Sequence, residues 1–178
     1  QKLIKDELLI KAMRKISLKD FKWENFLTVI RRNISNRIFQ SRRSFDYSEL
    51  KFVISLAEQC FLNEYVYLFC NEEKKAINQI INRCKEGETS EIYLSIIGCY
   101  FPLYKLIDQI PSIRSISSLD INFSELIRFQ VSEPLKEIEL SKSIKKIGSI
   151  NDEISKKVKS QYEENPYPRW RYESPLTD

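Results

Sequence analysis

Histidine is absent from the 178 residues, so any acid, base, nucleophile or metal ligand must come from carboxylates, thiols, hydroxyls, lysines or tyrosines. Neither a Ser-His-Asp nor a Cys-His relay can be assembled within the chain. Its four cysteines, Cys60, Cys70, Cys84 and Cys99, lie in apolar or helical surroundings and form no CxxC pair. A structural zinc site is not expected, and reduced thiols are. Gln59, Asn63 and Glu64 form a polar cluster in an otherwise apolar stretch. Ser55, Gln59 and Asn63 recur every four residues, which places them on one ridge of a helix. Such a cluster binds a substrate group or, more plainly, fixes helix register through the hydrogen bonds that burial demands. Glu58 and Glu64 are six residues apart and fall on different helix faces, so a paired acid/base site is not indicated.

A second set of candidates closes the chain: Tyr162, Glu163, Asn165, Pro166, Tyr167, Pro168, Arg169 and Trp170. Proline holds backbone extended at low entropic cost, and Tyr162, Tyr167 and Trp170 offer amphipathic contact area. Arg169 can bond a carboxylate or stack on a ring. The strip reads as a docking segment or cleft wall, with a stiff linker as the alternative. A third set, Arg31, Arg32, Arg37, Arg42 and Arg43, stands near Trp23, Phe39 and Phe45. Phosphates and bases could meet such residues, yet no established nucleic-acid motif accompanies them. The first 45 residues carry 12 Lys/Arg against 4 Asp/Glu, and the remainder 17 against 21. A solvated basic face is the plainer reading, and nucleic acid is not an expected partner.

The elements that position these residues are helical. Only three glycines are present, Gly87, Gly98 and Gly148, which leaves little room for the turns of open α/β or all-β folds. Apolar spacing predicts helices over residues 2–16 and 20–38. Asp46 stands three residues before Glu49, a capping-box spacing, and predicts a helix from there to about Cys70. That helix is apolar on most sides and belongs near the centre of a bundle. Residues 72–85 predict a further helix stopped by Gly87. The apolar stretch 90–108 contains Pro102, which cannot bond the carbonyl of Gly98, so a kink or two short helices are expected. Residues 111–119 read as a connection, 126–129 and 134–144 as helices, and 152–164 as a last basic helix. The tail from Asn165 is expected to be extended.

The fold expected is therefore all-α: an irregular helical bundle or stacked helical hairpins with an extended Pro/aromatic tail. Residues 1–160 form the helical domain, and 161–178 a linker or docking segment. No stretch reaches the ~20 apolar residues that span a bilayer, and no signal sequence is visible. A cytoplasmic location without membrane association is the expectation.

The segment Gln161-Tyr-Glu-Glu-Asn-Pro-Tyr-Pro-Arg-Trp170 resembles a stretch in bacterial methyltransferases that often carry tetratricopeptide repeats and a class I methyltransferase domain. The block Leu56-Ala-Glu-Gln-Cys-Phe-Leu-Asn-Glu-Tyr-Val-Tyr67 is similar to another segment of that family. Softer likeness covers Tyr104-Lys-Leu and Val131-Ser-Glu-Pro-Leu-Lys-Glu137. In such proteins the Pro/aromatic segment precedes a domain that opens with a strand and a glycine turn against S-adenosylmethionine. The eight residues after Trp170 hold no such turn. The resemblance thus implies a non-catalytic helical accessory region that binds no cofactor itself, in a protein that uses S-adenosylmethionine. Its implied partner is the catalytic domain of the same polypeptide, with a protein substrate or a second copy as further candidates. An independent interaction or dimerisation module is the competing expectation.

Overall fold

The structure, a computed structural model, describes residues 3–18, 20–40, 45–145 and 152–164. Every regular element among them is helical: α1 (Glu7–Lys15), α2 (Phe21–Gln40), α3 (Tyr47–Leu62), α4 (Asn71–Lys85), α5 (Glu91–Gly98), α6 (Ile121–Ile127), α7 (Glu133–Ser143) and α8 (Glu153–Glu164). Three-residue and four-residue 3-10 turns at Leu3–Lys5, Leu103–Leu106 and Pro111–Arg114 punctuate them. The all-α bundle expected from composition is what forms. The chain divides into two compact units, Gln1–Lys136 and Glu137–Asp178. The second unit holds the end of α7 and α8, whose first turn is capped by Asp152 accepting from the Ser155 amide at 2.7 Å.

In the first unit α3 is the central helix and packs against α1, α5 and α6. Its residues Phe52 to Leu62 are all buried, as an all-round apolar sequence requires. The capping box forms: Asp46 accepts from the Glu49 amide at 2.8 Å, and Glu49 accepts from the Asp46 amide at 3.1 Å. α4 covers one side of the core and packs on α2 and α5. Ala76, Ile77, Ile80, Ile81 and Cys84 are its inward residues, the stripe that the sequence assigns.

Besides the start of α6, which Asp120 sets at Ile121 instead of 126 by accepting the Asn122 and Phe123 amides at 2.7 and 2.9 Å, three boundaries differ from the sequence expectation, each for a local reason. The first helix begins at Glu7 because the Asp6 carboxylate takes the Leu8 and Leu9 amides at 2.9 and 3.0 Å, leaving only a 3-10 turn before it. α3 stops at Leu62 instead of running to Cys70. Glu64 and Tyr65 adopt left-handed φ of 57° and 59°, and the Tyr65 and Glu64 amides turn back to the Cys60 and Phe61 carbonyls at 2.9 and 3.3 Å. That is a Schellman closure built without glycine. Third, α6 passes into α7 through a π-helical turn, Arg128–Ser132, where two separate helices were expected. Pro102 acts as expected, and α5 ends at Gly98.

Candidate functional site

Four polar centres are built inside or on the first unit. The first lies where Pro102 leaves the Gly98 carbonyl without a helical donor. Gln130, buried on the π-turn, supplies one from its side-chain Nε2 at 3.1 Å and also donates to the Ala57 carbonyl at 2.8 Å. The Tyr65 hydroxyl donates to the same Gly98 oxygen at 3.3 Å, and the Leu103 amide donates to Gln130 Oε1 at 3.4 Å. A methyl group at Gly98 would stand 3.2 Å from Gln130 Oε1 and 3.3 Å from the Ala57 Cβ, so a larger residue would push on both by a few tenths of an ångström. One carboxamide therefore joins α3, α5, the 3-10 turn and the π-turn.

The second centre ties α2 to the start of α4. Arg31, 2% exposed, donates to the Tyr67 and Leu68 carbonyls at 3.1 and 2.7 Å and lies 3.5 Å from Glu73 Oε1. Its guanidinium stacks 4.3 Å from the Tyr100 ring centroid. Glu73, wholly buried, also takes the Tyr100 hydroxyl at 2.8 Å, Arg32 Nε at 3.1 Å and the Cys70 amide at 3.0 Å. Burial pushes the Glu73 carboxyl up, but the Cys70 amide, the Tyr100 hydroxyl and the two guanidiniums outweigh it and hold the carboxyl below its ordinary range. Burial raises the Tyr100 phenol well above its usual value, so it stays a neutral donor.

The third centre joins α1, α3 and α6. Arg14 Nε donates to the buried Glu58 at 2.9 Å, and the same guanidinium reaches Asn122 Oδ1 at 2.6 Å and Glu125 at 3.1 Å. Beside it, Gln59 closes the end of α1: with its carboxamide oriented so that Nε2 faces the two carbonyls, it donates to Met13 and Ile16 at 2.9 and 2.8 Å and accepts from the Leu18 amide at 3.0 Å.

These centres account for the sequence candidates. Gln59, Asn63 and Glu64 take three different structural positions. Gln59 serves α1, Asn63 is the C-cap of α3, and Glu64 takes the left-handed position beyond it. The Asn63 carboxamide atoms are buried and meet no hydrogen-bond partner among the described residues. Arg31, Arg32 and Arg37 pair with Glu73 and Glu49, so three of the five arginines are engaged inside the protein. Arg42 and Arg43 lie outside the described residues. The backbone of Tyr162 and Glu163 continues α8. Asn165, Pro166, Tyr167, Pro168, Arg169 and Trp170 lie outside the described residues. All four thiols are free, and burial pushes Cys84 up to about 11, far from thiolate reactivity. Among the described residues no three thiols or carboxylates converge as metal ligands, and no helix is long and apolar enough to cross a membrane.

Sequence reading misses Glu58, Glu73 and Gln130 as centres. Glu58 carries one available signal, a polar side chain inside an apolar helical run, which burial obliges to find a partner; Glu73, among Asn71, Glu72, Lys74 and Lys75, carries none, and Gln130 has only Phe129 and Val131 beside it. The Arg14, Arg31 and Ala57 partners that they meet are 44, 42 and 73 residues away in the chain, beyond any local pattern.

The fourth centre is open. A cleft of about 370 Å³ runs beside α4, lined by Asn78, Ile81, Asn82, Lys85, Phe101, Leu106 and Gln109. Ile81 and Leu106 are buried and Phe101 half-buried, giving an apolar floor beneath exposed polar groups. Compared with family models, with curated proteins and with solved structures, the chain matches none.

Proposed function

We propose that this chain is the helical accessory region of an S-adenosylmethionine-dependent methyltransferase, holding substrate or steadying a catalytic domain that follows it. The observation that carries the reading is the Gln161–Trp170 segment, which starts on the last turn of α8 and resembles the stretch before such catalytic domains. The chemistry of the first unit supports a scaffold role. Its buried carboxylates, Glu58 and Glu73, are bound to guanidiniums, and Glu73, its carboxyl held below the ordinary range, serves as a structural anion. In this reading the cofactor belongs to the following domain, and Tyr162, Tyr167, Arg169 and Trp170 contact that domain or line its cleft.

Two measurements test it. The coding sequence past Asp178 is expected to specify a strand and then a glycine turn. Titration calorimetry of the 178-residue chain with S-adenosylmethionine is expected to show no binding. A micromolar affinity, or methyl transfer by the chain alone, overturns the proposal.

A second reading, an interaction or dimerisation module, draws on apolar side chains left exposed in the first unit. Leu8 is 78% exposed, Phe21 71% and Leu68 82%. Sedimentation equilibrium over a hundredfold concentration range decides it: a constant monomer mass ends the dimer version.

A further inference from the structure

The cleft beside α4 differs from the three buried centres in one respect: its polar groups are uncommitted. The side chains of Asn78, Asn82, Lys85 and Gln109 make no hydrogen bond or ion pair with any described residue. Asn78 and Asn82 are four residues apart on α4, so their side chains rise along the same face by ~6 Å. An extended polypeptide repeats its backbone pattern every two residues, ~6.6 Å. A carboxamide is both donor and acceptor, as is the peptide group that faces it. Two carboxamides at this spacing match alternate peptide units of one strand-like segment. Ile81, Phe101 and Leu106 form the floor, where the side chains of the intervening residues would bury apolar surface. Gln109 stands on the lining wall contributed by the 103–110 stretch.

Charge selects among such segments. Lys85 is the sole ionisable residue of the lining, one turn beyond Asn82, and no described carboxylate neutralises it. A basic segment would set like charge against it, whereas an acidic side chain would gain a partner.

We infer that the α4 cleft binds an extended acidic polypeptide segment, its backbone paired with Asn78 and Asn82 and an acidic side chain on Lys85. This inference goes beyond the methyltransferase reading and does not rest on it, because the cleft's geometry carries it whatever follows Asp178.

The test uses the whole 178-residue chain and two labelled heptapeptides, one alternating aspartate with leucine, the other alternating lysine with leucine, both blocked at their ends. Fluorescence anisotropy is expected to show saturable binding of the acidic peptide with Kd below 1 mM and at least ~10-fold weaker binding of the basic one. Side-chain amide resonances of Asn78 and Asn82 are expected to shift with the same midpoint. The double change Asn78→Ala and Asn82→Ala, at exposed helical positions where alanine favours the helix, should weaken binding at least ~10-fold with unchanged thermal midpoint. Lys85→Glu should abolish the preference for the acidic peptide. Absence of binding at 1 mM, equal binding of both peptides, or binding untouched by the double change each overturns the inference.

Discussion

α3 and α4 end in the same backbone motif, and they reach it by different means. After α4, the Gly87 and Glu88 amides return to the Cys84 and Arg83 carbonyls at 3.2 and 3.0 Å, with Gly87 at φ 100°. After α3, the Glu64 and Tyr65 amides return to Phe61 and Cys60, with both residues left-handed. Glycine takes that conformation freely and has open space around it, with nothing within 4 Å of an added Cβ. Glutamate and tyrosine pay ~1–2 kcal/mol each to adopt it. The α4 closure is local and self-sufficient. The α3 closure is imposed from outside, by the Tyr65 hydroxyl on Gly98 and by the Phe61 ring edge-on to Phe129 at 5.0 Å. Strain at Glu64 and Tyr65 is thus offset by packing around the Gln130 centre and needs no ligand to account for it.

The comparison can be broken most severely at the support of the α3 closure. Gln130→Leu removes the side-chain partner of the Ala57 carbonyl and of the Leu103 amide and leaves the Gly98 carbonyl only the Tyr65 hydroxyl. Urea unfolding should register a loss of about 4 kcal/mol, and amide exchange at Glu64 and Tyr65 should accelerate while Gly87 is unchanged.

Next in size is Glu73→Gln at the start of α4, which strips the buried Arg31 of its counter-charge and should cost about 3 kcal/mol at neutral pH. The folded carboxyl titrates below its unfolded value, so its stabilisation is complete above the ordinary carboxylate range and is lost as pH falls through the folded value. Unfolding series at stepped pH should show the gap between Glu73→Gln and the unaltered chain narrowing through that acid window. A constant gap contradicts the assignment.

Gly98→Ala should cost about 2 kcal/mol, because its methyl group crowds Gln130 and Ala57 where neither can retreat cheaply. Gly87→Ala meets no neighbour and pays only for its dihedral, about 1 kcal/mol by thermal unfolding. The smallest effect has the opposite sign. Glu64→Gly removes the left-handed penalty but loosens the unfolded chain, for a net gain of about 0.5 kcal/mol. Should Glu64→Gly destabilise as much as Gly87→Ala, the two closures would not differ in the way described.

Much of the architecture is legible in the residues. The Asp46–Glu49 box, the α4 stripe and its Gly87 stop, the break at Pro102 and the central burial of α3 all follow from nearest-neighbour chemistry. The early end of α3 is not legible, because Glu64 carries no left-handed signal and the residues that hold Tyr65 beside it come from 33 and 65 positions later, Gly98 and Gln130. Of the polar candidates, Gln59 is buried in the central helix, and its partners around the end of α1 do not show in the sequence. The α4 cleft is invisible in sequence: Asn78 and Asn82 look like any solvated helix face until Phe101, Leu106 and Gln109 stand opposite.

By itself the sequence determined that the chain is helical, where most helices start, that these 178 residues supply no histidine, and which faces are apolar, since these depend on composition, on spacing and on contacts a few residues apart. Only the tertiary structure decided which carboxylate meets which guanidinium, where α3 stops, and which polar groups remain open to a ligand. Those outcomes depend on side chains brought together across many tens of residues, where burial forces each polar group to find a partner and the winner is set by geometry.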